Sequence, residues 1–164
     1  MPSPDATPRS ILFVCLGNIC RSPLAEGVFR DLARSAGIAN RYEVDSAGTG
    51  GWHVGERPDP RSVEVALRNG IRLEGSARRL EPSDFDRFDL IVAMDEQNRL
   101  DAHEIGQGQG ARIRLLREFD PEATDDLDVP DPYYGGPDGF ERVFDMVHRS
   151  CSELLDHLEG GPHR

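Results

Sequence analysis

The 164-residue sequence predicts an α/β protein: a small, doubly wound sheet of four parallel strands with helices on both faces. Three observations carry this expectation. Short apolar runs of the kind buried on both faces of a parallel sheet alternate with stretches of helical periodicity. That rhythm fits right-handed crossovers, which place ligands at the carboxyl ends of the strands. The length matches one domain of about 150 residues, and a hydrophobic content of 37% suffices for a single core.

Ile11-Leu12-Phe13-Val14 forms the first strand. From Pro23 a helix runs with Leu24, Val28, Phe29 and Leu32 on its apolar stripe until Gly37 stops it. Residues 42–47 are a second strand, residues 61–69 a second helix closed by Gly70, and residues 88–94 a strongly apolar third strand. Asp95 has the character of an N-cap for the next helix, and residues 111–116 form a weaker fourth strand. The last helix is the clearest: Phe140, Val143, Phe144, Val147, Cys151, Leu154, Leu155 and Leu158 repeat along one face. It packs on the sheet, with Cys151 in the core. One domain therefore spans residues 10–159, between disordered tails at 1–9 and 160–164. The glycine-rich stretch at 106–110 reads as a flexible connector.

Charge and composition narrow the function. With 19 basic and 30 acidic residues the net charge is −11, which argues against nucleic acid and against an anionic membrane surface as partners. Every basic residue is arginine, so a lysine Schiff base and a P-loop lysine are both excluded. No signal peptide or apolar run of about 18 residues is visible, and the expected compartment is the cytoplasm. The cysteines, Cys15, Cys20 and Cys151, suit neither a disulfide framework nor a zinc site, so no metal is expected and a reactive thiol stays open.

The loop after the first strand reads Cys15-Leu16-Gly17-Asn18-Ile19-Cys20-Arg21-Ser22-Pro23. A loop that wraps into a helix N-terminus turns several backbone N–H groups toward one point, and the helix dipole adds positive potential there, which favours a tetrahedral dianion. Arg21 can fork two of its oxygens. Gly17 and Asn18 tolerate the left-handed backbone of a tight cradle. The same field is expected to lower the Cys15 thiol from ~8.5 toward ~3.5–7.5, and a thiolate facing a bound phosphate is a phosphoryl-transfer nucleophile. The plainer alternative makes Cys15 and Cys20 small buried hydrophobes and Arg21 a surface charge.

This loop resembles, nearly residue for residue, the phosphate-binding signature of the low-molecular-weight protein tyrosine phosphatases of bacterial type, and the resemblance runs from residue 11 to about residue 158. It implies that Cys15 forms a phosphocysteine and that Arg21 clamps the phosphoryl group. Leu16, Gly17, Asn18, Ile19, Cys20 and Ser22 complete the phosphate site, Ser22 by donating to the thiolate and Asn18 by holding the loop in shape. No cofactor is implied. Cys20 matches the second loop cysteine, which serves either packing or the capture of an oxidised Cys15 as a reversible disulfide. Asp131-Pro132-Tyr133-Tyr134-Gly135 is similar to the family's Asp-Pro loop, which makes Asp131 the general acid and later the base. Without the resemblance it is one of seven acids between residues 118 and 131. Tyr133 and Tyr134 resemble the paired wall tyrosines, themselves targets of a tyrosine kinase. Trp52 stands on the opposite wall or is an ordinary half-buried core aromatic. Such walls make a slot deep enough to favour phosphotyrosine over shorter phosphoserine.

The pattern is incomplete. Many members carry a histidine, bonded to the loop asparagine, where this chain has Gly75, and Arg78 is the candidate replacement; His53 is assigned no role. The expected function is a monomeric, metal-independent phosphatase of phosphotyrosine-containing proteins. An arsenate reductase on the same scaffold would need relay cysteines, and none lies between Cys20 and Cys151. A non-catalytic phosphotyrosine-binding module would lack the nucleophile or the acid. The acidic run at 118–131 is expected to border the cleft and to favour basic residues around the phosphotyrosine.

Overall fold

The computed structural model describes residues 10–107, 112–133, 135–136 and 138–160. The tail expected at 1–9, residues 161–164 of the tail expected at 160–164, most of the glycine-rich connector, and Tyr134 lie outside the described residues. Four parallel strands, Ser10–Cys15 (β1), Glu43–Gly48 (β2), Leu90–Ala93 (β3) and Ile113–Leu115 (β4), form one sheet in the order β2-β1-β3-β4. The helices are Arg21–Ser35 (α1), Pro60–Arg68 (α2), Asp84–Arg87 (α3), Glu96–Ile105 (α4) and Asp138–Leu158 (α5). This is the α/β architecture expected from the sequence.

The apolar run of β1 is explained by its place. Ile11, Phe13 and Cys15 face a core layer built with α1 and α5, whereas Leu12 and Val14 face the opposite layer with Ile91, Ala93, Ala102, Ile113 and Leu115. A strand buried on both faces cannot alternate polar and apolar residues. All eight residues of the α5 stripe are buried, Cys151 completely. Asp95 does cap α4, its Oδ1 accepting from Asn98 N at 2.7 Å. α2 begins one residue earlier than expected because Asp59 caps it, accepting from Arg61 N at 2.8 Å, with Pro60 at the first helical position. The sequence carries no signal for α3, since four residues are too few to show a helical period.

Between β4 and α5 the chain turns through a 3-10 segment, Leu116–Phe119, into an irregular stretch. Asp120 anchors its start, accepting from Arg117 Nε at 2.8 Å, Arg149 Nε at 2.7 Å and Glu122 N at 2.8 Å. Burial alone would raise the Asp120 carboxyl, but these donors prevail and hold it below the usual carboxylate range. A lowered folded-state value contributes stability that is present above about pH 4 and is lost as pH falls through that value. Asp120→Asn is therefore expected to lower stability at neutral pH by about 1–3 kcal/mol. The deficit should shrink on acidification, which thermal melts across the acid range will read.

Candidate active site

The strand order reverses between β1 and β3, and the carboxyl ends of these two strands open on a cleft of about 360 Å³. Such a switch point is where open α/β sheets bind ligands. Cys15 ends β1 and lies at the cleft floor, 2% exposed. Its Sγ accepts from Asn18 N at 3.3 Å and lies 3.0 Å from Ser22 Oγ. α1 starts at Arg21 without a side-chain cap and without an acid in its first turn, in contrast to α2 and α4, which are capped by Asp59 and Asp95. Its N–H groups and positive dipole end are thus left to a ligand in the cleft.

Asn18 and Ser22, expected among the phosphate-binding residues, do not line the cleft; they form the layer behind it. Asn18 Nδ2 donates to Ser22 Oγ at 2.8 Å and to Ser46 Oγ at 3.0 Å, while its Oδ1 accepts from Arg78 N at 2.9 Å. Both N–H donors of this buried amide are used, and its oxygen accepts once. Since Asn18 donates to Ser22 Oγ, the Ser22 hydroxyl proton is free to point at the Cys15 sulfur. Asn18 is thus supported by Ser22, Ser46 and the backbone of Arg78. The Arg78 guanidinium itself turns away to Asp45 at 3.2 Å and Asp84 at 3.0 Å. Ser46 Oγ donates onward to Glu26 at 2.6 Å, whose carboxyl burial pushes up despite Ser46 and Arg30. Ser46→Ala leaves one Asn18 N–H unpaired in a buried site. A loss of about tenfold in kcat/KM is expected, the equivalent of roughly 1.4 kcal/mol, and steady-state assay checks it.

Asn18 has the left-handed backbone expected of the loop, with φ of +59°. Gly17 does not; it is needed for close approach, because a Cβ there would fall 2.9 Å from Cδ2 of His53.

Arg21 is 2% exposed. Its Nη1 donates to Asp95 Oδ2 at 2.6 Å and to the Val129 carbonyl at 3.0 Å, and its Nη2 lies 3.6 Å from Asp131 Oδ2. Burial alone would weaken this cation, but the negative charges of Cys15, Asp95 and Asp131 outweigh it and raise the guanidinium above its usual range. Asp95 therefore both caps α4 and orients Arg21. The sequence pointed only to the cap; its position beyond β3, beside the switch point, was the available signal.

Leu16, Ile19 and Cys20 line the cleft from the loop, Trp52 and His53 from one wall, and Asp131 and Tyr133 from the other. Trp52 is 72% exposed, which settles its place on the rim rather than in the core. Its ring lies over Gly50, where a Cβ would come within 1.9 Å of Cζ3. His53 is a wall residue the sequence left without a role; its Nδ1 is 3.0 Å from Glu56 Oε1 and its ring faces Tyr133 at 6.2 Å. Tyr133 is braced by Arg61, which stacks on the ring at 5.3 Å and donates to the Tyr133 carbonyl at 3.2 Å. Burial, followed by Asp59, pushes the Cys20 thiol well up, so Cys20 stays a neutral thiol.

Of the acidic run at 118–131, only Asp131 is among the lining residues. Asp120 is buried in its arginine pair, Glu118 is bound to Arg114, and Asp128 accepts from Glu96 N. The expected acidic border is thus reduced to one residue, because the run folds back on neighbouring arginines and amides. Among the described residues no group of three or more His, Cys, Asp or Glu is placed to hold a metal ion, and no helix is long and apolar enough to cross a membrane.

A sulfur that accepts from a backbone N–H, beside a buried arginine and an uncapped helix N-terminus, is an arrangement able to receive a tetrahedral oxyanion. Known proteins show the same arrangement of chain. The family model described as low molecular weight phosphotyrosine protein phosphatase matches residues 10–161. A low molecular weight protein-tyrosine-phosphatase of Streptomyces coelicolor is 49% identical over 148 residues, covering 88% of this chain and 90% of its own. The crystal structure of a protein tyrosine phosphatase from Entamoeba histolytica, with Hepes in its active site, superposes with a TM-score of 0.88 at 37% identity over 93% of this chain and 97% of that one. A drosophila arginine phosphatase gives a TM-score of 0.81 at 32% identity, over 90% and 96% of the two chains.

Proposed function

The chain belongs to the low molecular weight phosphotyrosine protein phosphatase family, and we propose that it hydrolyses phosphotyrosine in proteins, and small aryl phosphates, through a phosphocysteine on Cys15. The observation that carries the reading is the set of contacts at one point: Cys15 Sγ held by Asn18 N–H and Ser22, with Arg21 buried alongside and Asp131 3.6 Å from its guanidinium. Cys15 attacks phosphorus as the thiolate, and the P–O bond to the phenol breaks. Charge on the equatorial oxygens is taken up by Arg21 and by the N–H groups of Leu16 to Arg21, in place before reaction. Asp131, at the mouth, gives its proton to the departing phenolate. In the second half-reaction Asp131 takes a proton from water, which attacks the phosphocysteine and releases inorganic phosphate.

Side-chain specificity follows from the walls. Leu16, Ile19, Trp52 and Tyr133 offer apolar and aromatic surface to a phenyl ring at a depth a phosphoserine cannot span. The likeness to an arginine phosphatase gives a second reading, in which Asp131 would receive a guanidinium; the aromatic walls favour the phenyl ring. We assign phosphotyrosine-containing proteins as partners, the cytoplasm as compartment and a monomer as the working state.

The test is a parallel assay on phosphotyrosyl, phosphoseryl and phosphoarginyl peptides and on arsenate, each with and without chelator. Turnover of the phosphotyrosyl peptide alone, indifferent to chelator, is expected. Faster turnover of the phosphoarginyl peptide would replace the reading, reduction of arsenate would support a reductase, and binding without turnover would leave a recognition module.

A further inference from the structure

We propose that Arg117 is a positioning residue for Asp131, an inference that rests on the reading of Asp131 as the general acid. The Asp131 carboxylate has little of its own to hold it. It is 38% exposed, accepts from Tyr133 N at 3.1 Å, and stands 3.6 Å from Arg21. Its place is therefore inherited from the backbone before it, an irregular stretch from residue 120 onward whose carbonyls no strand or helix fixes.

Arg117 supplies the missing order. Its side chain is largely buried beneath the stretch, and Nη1 donates to the carbonyls of Asp128 at 3.0 Å and Asp126 at 3.3 Å, while Nε pairs with Asp120 at 2.8 Å. One guanidinium thus ties the start of the stretch to its end. The residue after Asp128 is then locked from two sides: Val129 N donates to the Met94 carbonyl at 2.8 Å, and the Val129 carbonyl accepts from Arg21 at 3.0 Å. Pro130, with its fixed φ, carries that position to Asp131. A rigid planar fork reaching two carbonyls and a carboxylate at once is a geometry that a lysine ammonium matches poorly.

The experiment uses the full chain with Arg117→Met, Arg117→Lys and, as control, Asp131→Ala. Each is assayed for kcat/KM on tyrosine phosphate and on an ester of a strongly acidic phenol, which leaves without a proton, and for inhibition by inorganic phosphate. Arg117→Met is expected to lose about tenfold on tyrosine phosphate, below the ~10²-fold that a misplacement of ~1 Å can cost. The acidic-phenol ester should change less than about threefold, because it does not need the acid. Phosphate inhibition should be little changed, since Arg21 keeps Asp95 at 2.6 Å and Val129 N keeps the Met94 carbonyl at 2.8 Å, and Arg117→Lys should fall between the methionine variant and the parent. An equal loss on both esters, or weaker phosphate inhibition, would show a merely structural role and overturn the proposal. Should the methionine variant not fold, the lysine variant carries the same comparison, with a loss confined to tyrosine phosphate as the supporting result. If Asp131→Ala itself fails to discriminate between the esters, the assignment of the acid is wrong; if it discriminates and the Arg117 variants do not, only the role of Arg117 is.

Discussion

Cys15→Ser is expected to lower turnover of aryl phosphates by at least ~10⁴-fold, the scale on which removal of an enzyme nucleophile acts, while inorganic phosphate still binds. The two outcomes separate because different atoms carry them. Phosphate is held by the loop amides and by Arg21, which is fixed through Asp95 and the Val129 carbonyl and does not depend on sulfur. Attack on phosphorus does depend on it. Asn18 N–H and Ser22 stabilise a negative charge at that atom, and a serine hydroxyl at this position keeps its proton near neutral pH. Kinetics on an aryl phosphate, together with calorimetric titration of phosphate, read both. Retained turnover would remove Cys15 from the mechanism.

Asp131→Ala is expected to cost ~10²–10⁴-fold on an ester of an ordinary phenol, the contribution of a positioned proton donor, and far less on an ester of a strongly acidic phenol. Asp131 lines the cleft beside Tyr133 and reaches Arg21. Asp128, three residues earlier, is turned to Glu96 N at 2.9 Å, so Asp128→Ala should change turnover by less than about threefold on either ester. A leaving-group series on both variants makes the comparison, and sensitivity at Asp128 instead of Asp131 would move the acid.

How much of this is legible in the sequence depends on the range of the forces involved. β1 and α5 were legible because burial on two faces, or on one helical stripe, writes itself into consecutive residues. The loop at the cleft floor was legible because Cys15, Asn18, Arg21 and Ser22 lie within one short segment. Contacts that join distant segments were not: Ser46 supports Asn18 from another strand, and Arg78 supports it with its backbone rather than its side chain. His53 reads as a solvated polar residue until the turn at Gly50 and the open space at Gly17 bring it to the wall. Asp95 looks complete as a helix cap because its second partner, Arg21, is 74 residues away. The acidic run reads differently in space, since Glu118 and Asp120 pair with Arg114, Arg117 and Arg149 and of the seven acids only Asp131 lines the cleft. With a net charge of −11 and no lysine, positive potential for a dianion is concentrated in one loop, one uncapped helix N-terminus and Arg21.

The central claim is the covalent intermediate, and phosphorus NMR of the Asp131→Ala enzyme turning over an ester of a strongly acidic phenol tests it most directly. That variant still forms the phosphocysteine but lacks the base that activates water against it, so the intermediate accumulates. The expected result is a protein-bound S-phosphoryl resonance that maps to Cys15 by mass and is absent when Cys15 is also replaced by serine. Turnover with no such species, or a phosphoryl group mapped to Cys20 or His53, would contradict the account.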